Sequence, residues 1–400
     1  MSAAGASSSL APASEEELAE AVAEAARSGQ PLAVEGNGTK RGMLRPVQAA
    51  RTLSTRNLTG ITLYKPQELI LSARAGTPLP EIEAALAEKG QHLIAEPPEP
   101  GPLFGADRPA TLGGVVATNL SGPRRITAGA TRDHVMGIRA VTGTGEVFRS
   151  GGRVLKNVTG LDLAKLLTGS HGTLGVLTEI TLKVLPAPER SATVAIRVAD
   201  LSAGVKALSA GLGSPYGVSG AALLPEDGAG GGPLALLRLE DFAESVAYRA
   251  GRLREELASL GEAGLLEDAE SRALWRRVRD AEPLGAEPGD AVWRVSVRPS
   301  AGPAVARAVR AAGLPRLLLD WGGGLVWVAG PATAEAHDAV AAAARAEGGA
   351  FILFRAPDSL RAAVAALPDE PPPLAAIGRR VKAVLDPAGV LNPGRMRAGL

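Results

Sequence analysis

Apolar residues near the N-terminus recur first at helical and then at strand spacing. Residues 14–28 predict an α-helix, because their apolar positions recur every three or four residues and Ser14 can cap the first turn. A short strand at 32–34 follows. Residues 68–90 then predict a second strand-to-helix unit, with Thr77 as the helix cap. This alternation indicates a domain that mixes helices and strands.

The next segment predicts a sheet with one buried face. Two apolar strands within 138–149 flank the Gly-Thr-Gly sequence at 143–145, which is typical of a hairpin. Asp162 can cap the short apolar helix that follows. From 176 to 184 the even positions carry Val, Thr, Ile, Leu and Val, and the charged residues fall only at odd positions. This strand is therefore expected to bury one side.

Beyond Pro186 the pattern changes to two similar halves. The first half predicts strands near 191–198, 219–224 and 233–239 with helices near 201–211 and 242–260. The second predicts strands near 292–299, 316–321, 325–330 and 351–355 with helices near 303–312 and 334–347. These βαββ-type halves indicate an internally duplicated, ferredoxin-like α+β domain. We therefore predict an N-terminal domain (1–187), this α+β domain (188–373) and a C-terminal segment (374–400) behind a Pro-rich linker.

Composition excludes several classes of function. Hydrophobic residues make up 46% and charged residues 21% of the 400 positions, and no apolar run is long enough for a direct membrane span. The net charge of +1 and the lack of a Lys/Arg block argue against nucleic acid as a partner. With no cysteine, the chain has no thiolate to ligate an iron–sulfur cluster or to attach a flavin. The N-terminal residues lack a secretory signal, so a cytoplasmic location is expected.

Three glycine-rich stretches are candidates for phosphate binding. They are residues 36–40, residues 109–114 with 118–122 behind them, and residues 169–175. Consecutive backbone N–H groups can bind a diphosphate where glycine lets the chain approach closely, although each stretch alone is more often a plain turn. The dinucleotide motif G-x-G-x-x-G is not met, because the glycine after Gly36 and Gly38 falls one place late, at Gly42. A Rossmann fold is therefore disfavoured.

In this order and spacing, the stretches within residues 30–186 resemble the FAD-binding domain of the vanillyl-alcohol oxidase and p-cresol methylhydroxylase family. The resemblance implies an α+β fold, with a two-part FAD-binding domain and an α+β cap domain. It also implies that the first stretch binds the pyrophosphate, that the second wraps pyrophosphate and flavin, and that the third borders adenine and ribose. The cofactor-binding residues that it implies are Gly36, Asn37, Gly38, Thr39, Lys40, Pro109, Thr111, Leu112, Gly113, Gly114, Thr118, Asn119, Ser121, Gly122, Asp133, Gly172, Gly175, Val176 and Asn392.

Further motifs resemble the FAD-binding subunits of bacterial glycolate oxidases. They are residues 151–160 with Asp162 and Leu163 behind them, 292–297, 320–323 and 386–395. The resemblance implies a subunit of a multi-subunit 2-hydroxy-acid dehydrogenase or oxidase of the glycolate type. Such a subunit would stand beside a homologous flavin subunit and relay electrons to an iron–sulfur subunit. The resemblance also implies that the C-terminal segment returns to the FAD-binding domain, and it is compatible with a complex held at the inner membrane through a partner.

Two positions depart from this pattern, and a third group bears on how FAD is held. Leu161 stands where the subunit family tends to carry an aromatic residue, and His171 where it tends to carry an apolar one. Covalent relatives attach the flavin through a histidine beside the first loop or through a cysteine further on. Because Thr39, Lys40 and Arg41 occupy the first of these places, the FAD is expected to be non-covalent.

The chain lacks a recognisable catalytic set. Oxidation of a 2-hydroxy acid needs a base for the hydroxyl proton and a cation for the carboxylate. His92 at a helix exit and His337 on a polar helix face are expected to be structural or solvent-facing, and His134 and His171 in the flavin domain are expected to make local structural contacts. No His/Asp/Glu cluster has metal-ligand spacing. Catalytic residues therefore stay unassigned, and no metal is expected.

Two other functions stay open on the sequence. One is a self-sufficient FAD-dependent oxidoreductase that acts on another small hydroxy acid or alcohol. The other is a non-catalytic scaffold whose flavin site has decayed. A group of tryptophans and arginines could belong to a subunit interface, or to the core and a solvated helix face. Its members are Trp275, Arg276, Arg277, Arg279, Trp293 and Trp321.

Overall fold

The computed structural model describes residues 8–152, 161–225 and 232–399. Residues 153–160, which belong to one of the quoted motifs, lie outside the described residues. The first elements are β1 (Ser8–Leu10), α1 (Glu15–Ser28), β2 (Leu32–Glu35) and β3 (Arg51–Ser54), and the strands form a parallel sheet in the order β1-β3-β2. The predicted cap of α1 is present, because the Ser14 hydroxyl accepts a hydrogen bond from the Glu17 N–H (3.1 Å).

A five-stranded antiparallel sheet forms the second part of the N-terminal half. The strands of this region are β4 (Ile61–Lys65), β5 (Ile70–Arg74), β6 (Gln91–His92), β7 (Val135–Val141), β8 (Val147–Gly151), β9 (Val176–Lys183) and β10 (Leu185–Pro186). Its helices are α2 (Leu79–Ala87), α3 (Pro100–Phe104), α4 (Leu112–Thr118), α5 (Arg125–Ala128), α6 (Thr131–His134) and α7 (Leu163–Leu167). The sheet order is β4-β5-β9-β7-β8, and β6 pairs with β10 separately. The even side of β9 is buried, as its alternation predicts.

The predicted cap of α2 is wrong. The helix begins at Leu79 with Pro78 in the cap position and no side-chain cap bond. The Thr77 hydroxyl instead accepts a hydrogen bond from the Gly60 N–H (3.0 Å) in a neighbouring loop. The Thr77 hydroxyl therefore makes a tertiary hydrogen bond in place of the helix-capping bond that the local sequence pattern predicts.

The C-terminal half is built on one eight-stranded antiparallel sheet. Its strands are β11 (Arg190–Arg197), β12 (Val218–Leu224), β13 (Leu234–Asp241), β14 (Glu262–Glu267), β15 (Ala291–Ser296), β16 (Arg316–Asp320), β17 (Leu325–Gly330) and β18 (Ala350–Arg355). The helices are α8 (Leu201–Leu212), α9 (Ala243–Leu257), α10 (Asp268–Arg279), α11 (Gly302–Ala311), α12 (Ala334–Ala346), α13 (Asp358–Ala363) and α14 (Pro372–Leu385). No helix among the described residues is long and apolar enough to cross a bilayer.

The sheet order shows the internal duplication directly. The order β14-β11-β13-β12-β16-β17-β15-β18 contains two ferredoxin-like βαββαβ units, which join where β12 pairs with β16. The sequence pattern predicts only βαββ in the first half, because it misses β14. This strand lies at the edge of the sheet and none of its six residues is fully buried, so it lacks the apolar alternation that reveals a strand.

The two faces of this sheet have different partners. On one face the Trp293 indole N–H donates to Nδ1 of His337 in α12 (3.2 Å). The opposite face meets residues of the N-terminal half: Arg238 of β13 donates from both terminal nitrogens to the Glu96 carboxylate (2.9 and 3.0 Å). A buried double hydrogen bond therefore joins the two halves of the chain.

The tryptophan and arginine group divides between core and surface. Trp275 and Trp293 are 1% and 0% exposed and belong to the core. Arg276 and Arg277 are exposed on α10, whereas Arg279 is partly buried and binds the Asp280 carboxylate (2.8 Å). Buried side chains are not free to contact another subunit, so the interface alternative does not hold for the first two tryptophans.

The C-terminal tail packs against the first sheet. Leu391 pairs with Leu32 in a parallel bridge, and the Asn392 side chain accepts a hydrogen bond from the Val34 N–H (2.7 Å). Asp386 is 2% exposed and accepts the N–H of Leu391 (2.9 Å). These contacts bring Asn392 to the end of β2, directly before the first glycine-rich stretch.

Candidate functional site

The three glycine-rich stretches meet around one cavity of about 270 Å³. Thirteen of the residues implied by the resemblance lie on its wall: Gly36, Asn37, Gly38, Thr39, Lys40, Thr111, Gly113, Gly114, Thr118, Gly172, Gly175, Val176 and Asn392. A second cavity of about 710 Å³ shares the stretch from 35 to 39 and Arg41 with the first. Segments more than about 350 residues apart in the sequence thus line neighbouring cavities.

The first two stretches are in direct contact. The Asn37 side-chain amide donates to the Pro109 carbonyl oxygen (3.0 Å). A Cβ on Gly36 would overlap the Thr111 hydroxyl, which itself accepts the Gly114 N–H at the start of α4 (3.3 Å). Glycine at 36 therefore lets the two main chains come together at the cavity.

The third stretch is held from two sides. The His171 N–H donates to the Ala117 carbonyl oxygen at the end of α4 (2.8 Å), and the His171 carbonyl accepts from the Asn392 side chain (2.8 Å). Gly172 has φ of +70°, and a Cβ there would lie 2.8 Å from the same Asn392 amide nitrogen. Both the left-handed backbone and the close approach require glycine at this position.

The cavity wall carries hydrogen-bond donors and a cation suited to a diphosphate. Among the described residues, no acceptor pairs with the main-chain N–H groups of residues 37–40. The Lys40 residue is 8% exposed, and its ammonium contacts only the Thr39 hydroxyl (3.2 Å) within the described chain. Burial lowers the pKa of Lys40 to about 8, against the opposing charge of Glu99. A buried ammonium beside free amides fits the pyrophosphate of FAD.

Two arginines that the sequence analysis did not single out bind main-chain carbonyl groups of this loop. Arg395 of the tail donates to the Lys40 carbonyl oxygen (2.7 Å), and Arg361 of α13 donates to the carbonyls of Arg41 (2.7 Å) and Met43 (3.0 Å). Both lie on the cavity wall. They fix the loop before any ligand arrives, so less conformational freedom is lost on binding. Arg395 lies in the quoted tail motif, but only the fold shows what it contacts.

Six of the residues that the family resemblance implies for cofactor binding lie outside the wall of this cavity: Pro109, Leu112, Asn119, Ser121, Gly122 and Asp133. Leu112 is core, and the Pro109 carbonyl receives the bond from Asn37. Side-chain oxygens of the three polar residues accept main-chain N–H groups. The Gly122 carbonyl accepts the Trp321 indole N–H (3.1 Å), so this stretch continues toward the eight-stranded sheet.

Burial favours the uncharged form of all four histidines, of which His171 lies on the cavity wall. Burial, with the nearby Arg395 charge, lowers the pKa of His171 to about 3, and burial lowers the pKa of His92 to about 4. Burial also lowers the pKa of His134 and His337. His337 is 4% exposed, so its expected place on a polar helix face is wrong, although its contact with Trp293 is structural as expected. The described residues contain no cluster that could hold a metal ion.

The charge of Lys40 should make FAD binding depend on pH. The diphosphate favours the protonated ammonium, so affinity should be constant below the pKa of about 8 in the free chain. Above pH 8 a proton must be taken up, and the Kd should rise by up to about tenfold per pH unit. Flavin-fluorescence titration from pH 6.5 to 9.5 measures this. Lys40→Met should bind more weakly, with the rise absent; a rise retained in that variant would assign it to another group.

Comparisons with known proteins agree with this geometry. A family model described as FAD binding domain matches residues 7–151. The fold is similar to 4-ethylphenol oxidase from Gulosibacter chungangensis, with a TM-score of 0.73 and 16% identity over 98% of this chain and 89% of the other. It is also similar to an alkyldihydroxyacetonephosphate synthase, with a TM-score of 0.69 and 18% identity over 96% and 76%. The chain is an FAD-dependent oxidoreductase, and its α+β fold is that of these two proteins, as predicted.

Sequence relatives define the family more narrowly. The glycolate oxidase subunit GlcE of Escherichia coli K12 is 39% identical over 385 residues, which are 96% of this chain and 97% of that protein. A D-lactate dehydrogenase of Anaerostipes hadrus is 37% identical over 137 residues, or 34% of this chain and 27% of the relative. The chain belongs to the family of the glycolate oxidase subunit GlcE. The family resemblance drawn from the sequence motifs is therefore confirmed.

The mode of FAD attachment can be tested on the purified protein. Because the chain has no cysteine and Thr39, Lys40 and Arg41 stand beside the first loop, denaturation in acid should release all of the flavin. Filtration of the denatured sample should leave yellow colour only in the filtrate. Flavin that stays with the precipitated chain would show a covalent link.

Proposed function

We propose that this chain is the FAD-binding subunit of a multi-subunit 2-hydroxy-acid dehydrogenase or oxidase of the glycolate type, and that it relays electrons to an iron–sulfur partner. The proposal is supported by one observation: the three glycine-rich stretches and the buried Lys40 line one cavity, in a chain whose described residues contain no cluster of side chains that could hold a metal ion. Similarity to GlcE over nearly the whole of both chains supports the substrate class.

The residues around the cavity have distinct roles in this proposal. The free N–H groups of residues 37–40 and the Lys40 ammonium neutralise the diphosphate, while Arg361 and Arg395 keep the loop in its binding conformation. FAD held by these residues would supply hydride acceptance and one-electron transfer. Since the chain has no cysteine, a cysteine-ligated cluster must be supplied by another subunit.

A homologous flavin subunit is the second proposed partner. The glycolate oxidase subunit GlcD of Bacillus subtilis is 28% identical over 201 residues, which are 50% of this chain and 41% of the relative. Two related flavoproteins in one assembly would allow one to bind and oxidise the acid and the other to pass electrons onward. We propose that the complex is cytoplasmic and attaches to the inner membrane through a partner.

The test compares the isolated chain with the complex purified from its native cell. The FAD-loaded chain alone should oxidise glycolate and D-lactate slowly or not at all with an artificial acceptor, and the complex should turn them over. Iron analysis of the complex should find a cluster in a partner subunit. Rapid glycolate oxidation by the isolated chain would instead establish a self-sufficient oxidoreductase, and a complex without iron would contradict the relay.

A further inference from the structure

Helix α14 carries an apolar stripe that the described part of the chain leaves largely open to solvent. Each of the other long helices, α1, α8, α9, α10, α11 and α12, buries at least three residues, whereas α14 buries none. Leu374, Ile377 and Val384 are 57%, 50% and 77% exposed. Three of the eight large apolar side chains exposed among the described residues thus lie on this one helix. Such a concentration is typical of an interaction surface.

The spacing of this stripe is that of a helix that packs against another helix. Its members follow one another at intervals of three, four and three residues, which is the a and d pattern of two heptads. They are Leu374, Ile377, Val381 and Val384. A stripe this narrow is that of a coiled-coil seam rather than a broad apolar face. Helices that lie on membranes commonly bury Trp, Phe and Leu, and α14 has no aromatic residue. The stripe therefore fits a partner helix better than a lipid surface.

Another side of the helix is fixed to the N-terminal half. The Lys382 ammonium donates to the carbonyl oxygens of Thr173 (2.7 Å) and Leu391 (3.0 Å). It also pairs with the Asp386 carboxylate (2.6 Å), and Leu385 packs against the apolar core of the five-stranded sheet. The stripe is thus held in one orientation, so docking would cost little conformational freedom. Because Thr173 belongs to the third glycine-rich stretch, Lys382 connects this surface to the cofactor site.

The charge beside the stripe is positive. The sequence of α14 contains no Asp or Glu, and Arg379 and Arg380 are exposed on it. The nearest carboxylate before the helix, Glu370, pairs with Arg397 (3.0 Å), and the nearest one after it, Asp386, is 2% exposed. In the heptad pattern Arg380 occupies position g, which flanks the seam and commonly pairs with an opposite charge of the partner helix. Carboxylates on the partner would therefore complement this surface.

A second copy of this chain is a poor match for the same surface. An antiparallel pair of α14 helices that sets Leu374 against Val384 of the other copy would bring Arg380 close to its own copy. Like charges in flanking positions weaken a helix pair, whereas opposite charges favour it. Charge therefore favours a helix from a different chain.

We propose that α14 docks an amphipathic helix of another protein chain, which packs an apolar a and d stripe against the stripe of α14 and places carboxylates beside Arg380. The surface itself requires only a helix of this chemistry. That the helix belongs to a subunit of the glycolate-type complex rests on the proposed function. Docking at α14 would hold that subunit against the N-terminal half, on the side of the third glycine-rich stretch.

Photocrosslinking in the native cell tests the identity of the occupant. The tagged full chain carries a benzophenone side chain at position 377, and the adduct formed on irradiation is mapped by mass spectrometry. It should lie on one helix of another protein, with apolar residues at intervals of three and four and Asp or Glu beside them. An adduct on a second copy of this chain, on a segment without that pattern, or on no protein would overturn the proposal. Binding of the purified chain to vesicles of equal parts phosphatidylcholine and phosphatidylglycerol, abolished by Ile377→Glu, would also overturn it.

Substitutions separate docking from folding. Ile377→Glu places a carboxylate in the stripe and should lower the recovery of the crosslinked partner with the tagged chain roughly tenfold or more. Arg380→Glu should lower it by about two- to fivefold at low salt, and less at high salt. Ala383→Glu is the matched control, because it adds the same charge at an exposed position of α14 outside the stripe. It should leave partner recovery unchanged.

The isolated variants show whether the effect is structural. Because the three positions are exposed, each variant should keep the FAD content and the melting temperature of the parent. Lower FAD content or a lower melting temperature in Ile377→Glu, or partner recovery equal to that of the parent, would overturn the proposal. If the partner docks as stated but the assembly does not oxidise glycolate, only the proposed function fails. If the assembly oxidises glycolate and Ile377→Glu leaves its composition unchanged, only the docking surface fails.

Discussion

Gly36→Ala should purify largely without flavin and bind added FAD about 10- to 100-fold more weakly than the parent chain. The added Cβ would overlap the Thr111 hydroxyl, which caps α4 by accepting the Gly114 N–H. Threonine is branched and cannot swing away freely, so the first loop or the start of α4 must shift. Overpacking of this kind costs about 1–3 kcal/mol, which corresponds to that range of affinity.

The measurements are the ratio of flavin to protein absorbance after purification and the Kd from fluorescence titration. Gly251→Ala is the matched control, because nothing lies within 4 Å of a Cβ there and the residue stands within α9, far along the chain from the loop. It should retain full flavin. A Gly36→Ala protein with parental Kd would show that the first loop does not approach the cofactor closely.

Arg238→Met should lower the free energy of unfolding by about 3–5 kcal/mol, because it leaves the buried carboxylates of Glu96 and Glu240 with Arg124 as their remaining cationic partner. Burial opposes ionisation of Glu96, but Arg238 and Arg124 outweigh it and hold its pKa below the usual range. Arg238 is 1% exposed and its guanidinium also lies 4.6 Å from the Trp275 ring. Methionine keeps much of that apolar contact, so the loss reports mainly on the charges.

Chemical unfolding, followed by circular dichroism, measures this effect, and a double-variant cycle isolates its cause. Glu96→Gln combined with Arg238→Met should recover at least about 1 kcal/mol relative to the sum of the single variants. Arg277→Met removes an exposed arginine whose partner Glu282 is 3.4 Å away, and it should leave the midpoint unchanged. Strict additivity in the cycle would mean that the pair does not hold the two halves of the chain together.

Much of the secondary structure is encoded locally. The capped helix α1, the hairpin of β7 and β8, and the one-sided strand β9 follow from apolar spacing, capping and turn residues. Predictions from the local sequence pattern fail where tertiary contacts compete with that pattern. Thr77 leaves its helix to bond Gly60, and β14 is stabilised by pairing with β11 at the sheet edge although its own residues are only partly buried or exposed.

The sequence by itself determined the glycine-rich stretches, the absence of cysteine and the duplicated order of elements, because these depend only on residue type and spacing. Only the tertiary structure decided that Lys40 is buried beside main-chain amides that have no acceptor among the described residues, and that Arg361 and Arg395 hold its loop. The physical reason is that the pKa and the binding properties of a charged side chain depend on its burial and on its partners. Burial and partners come from segments up to about 350 residues away, and no local pattern records them.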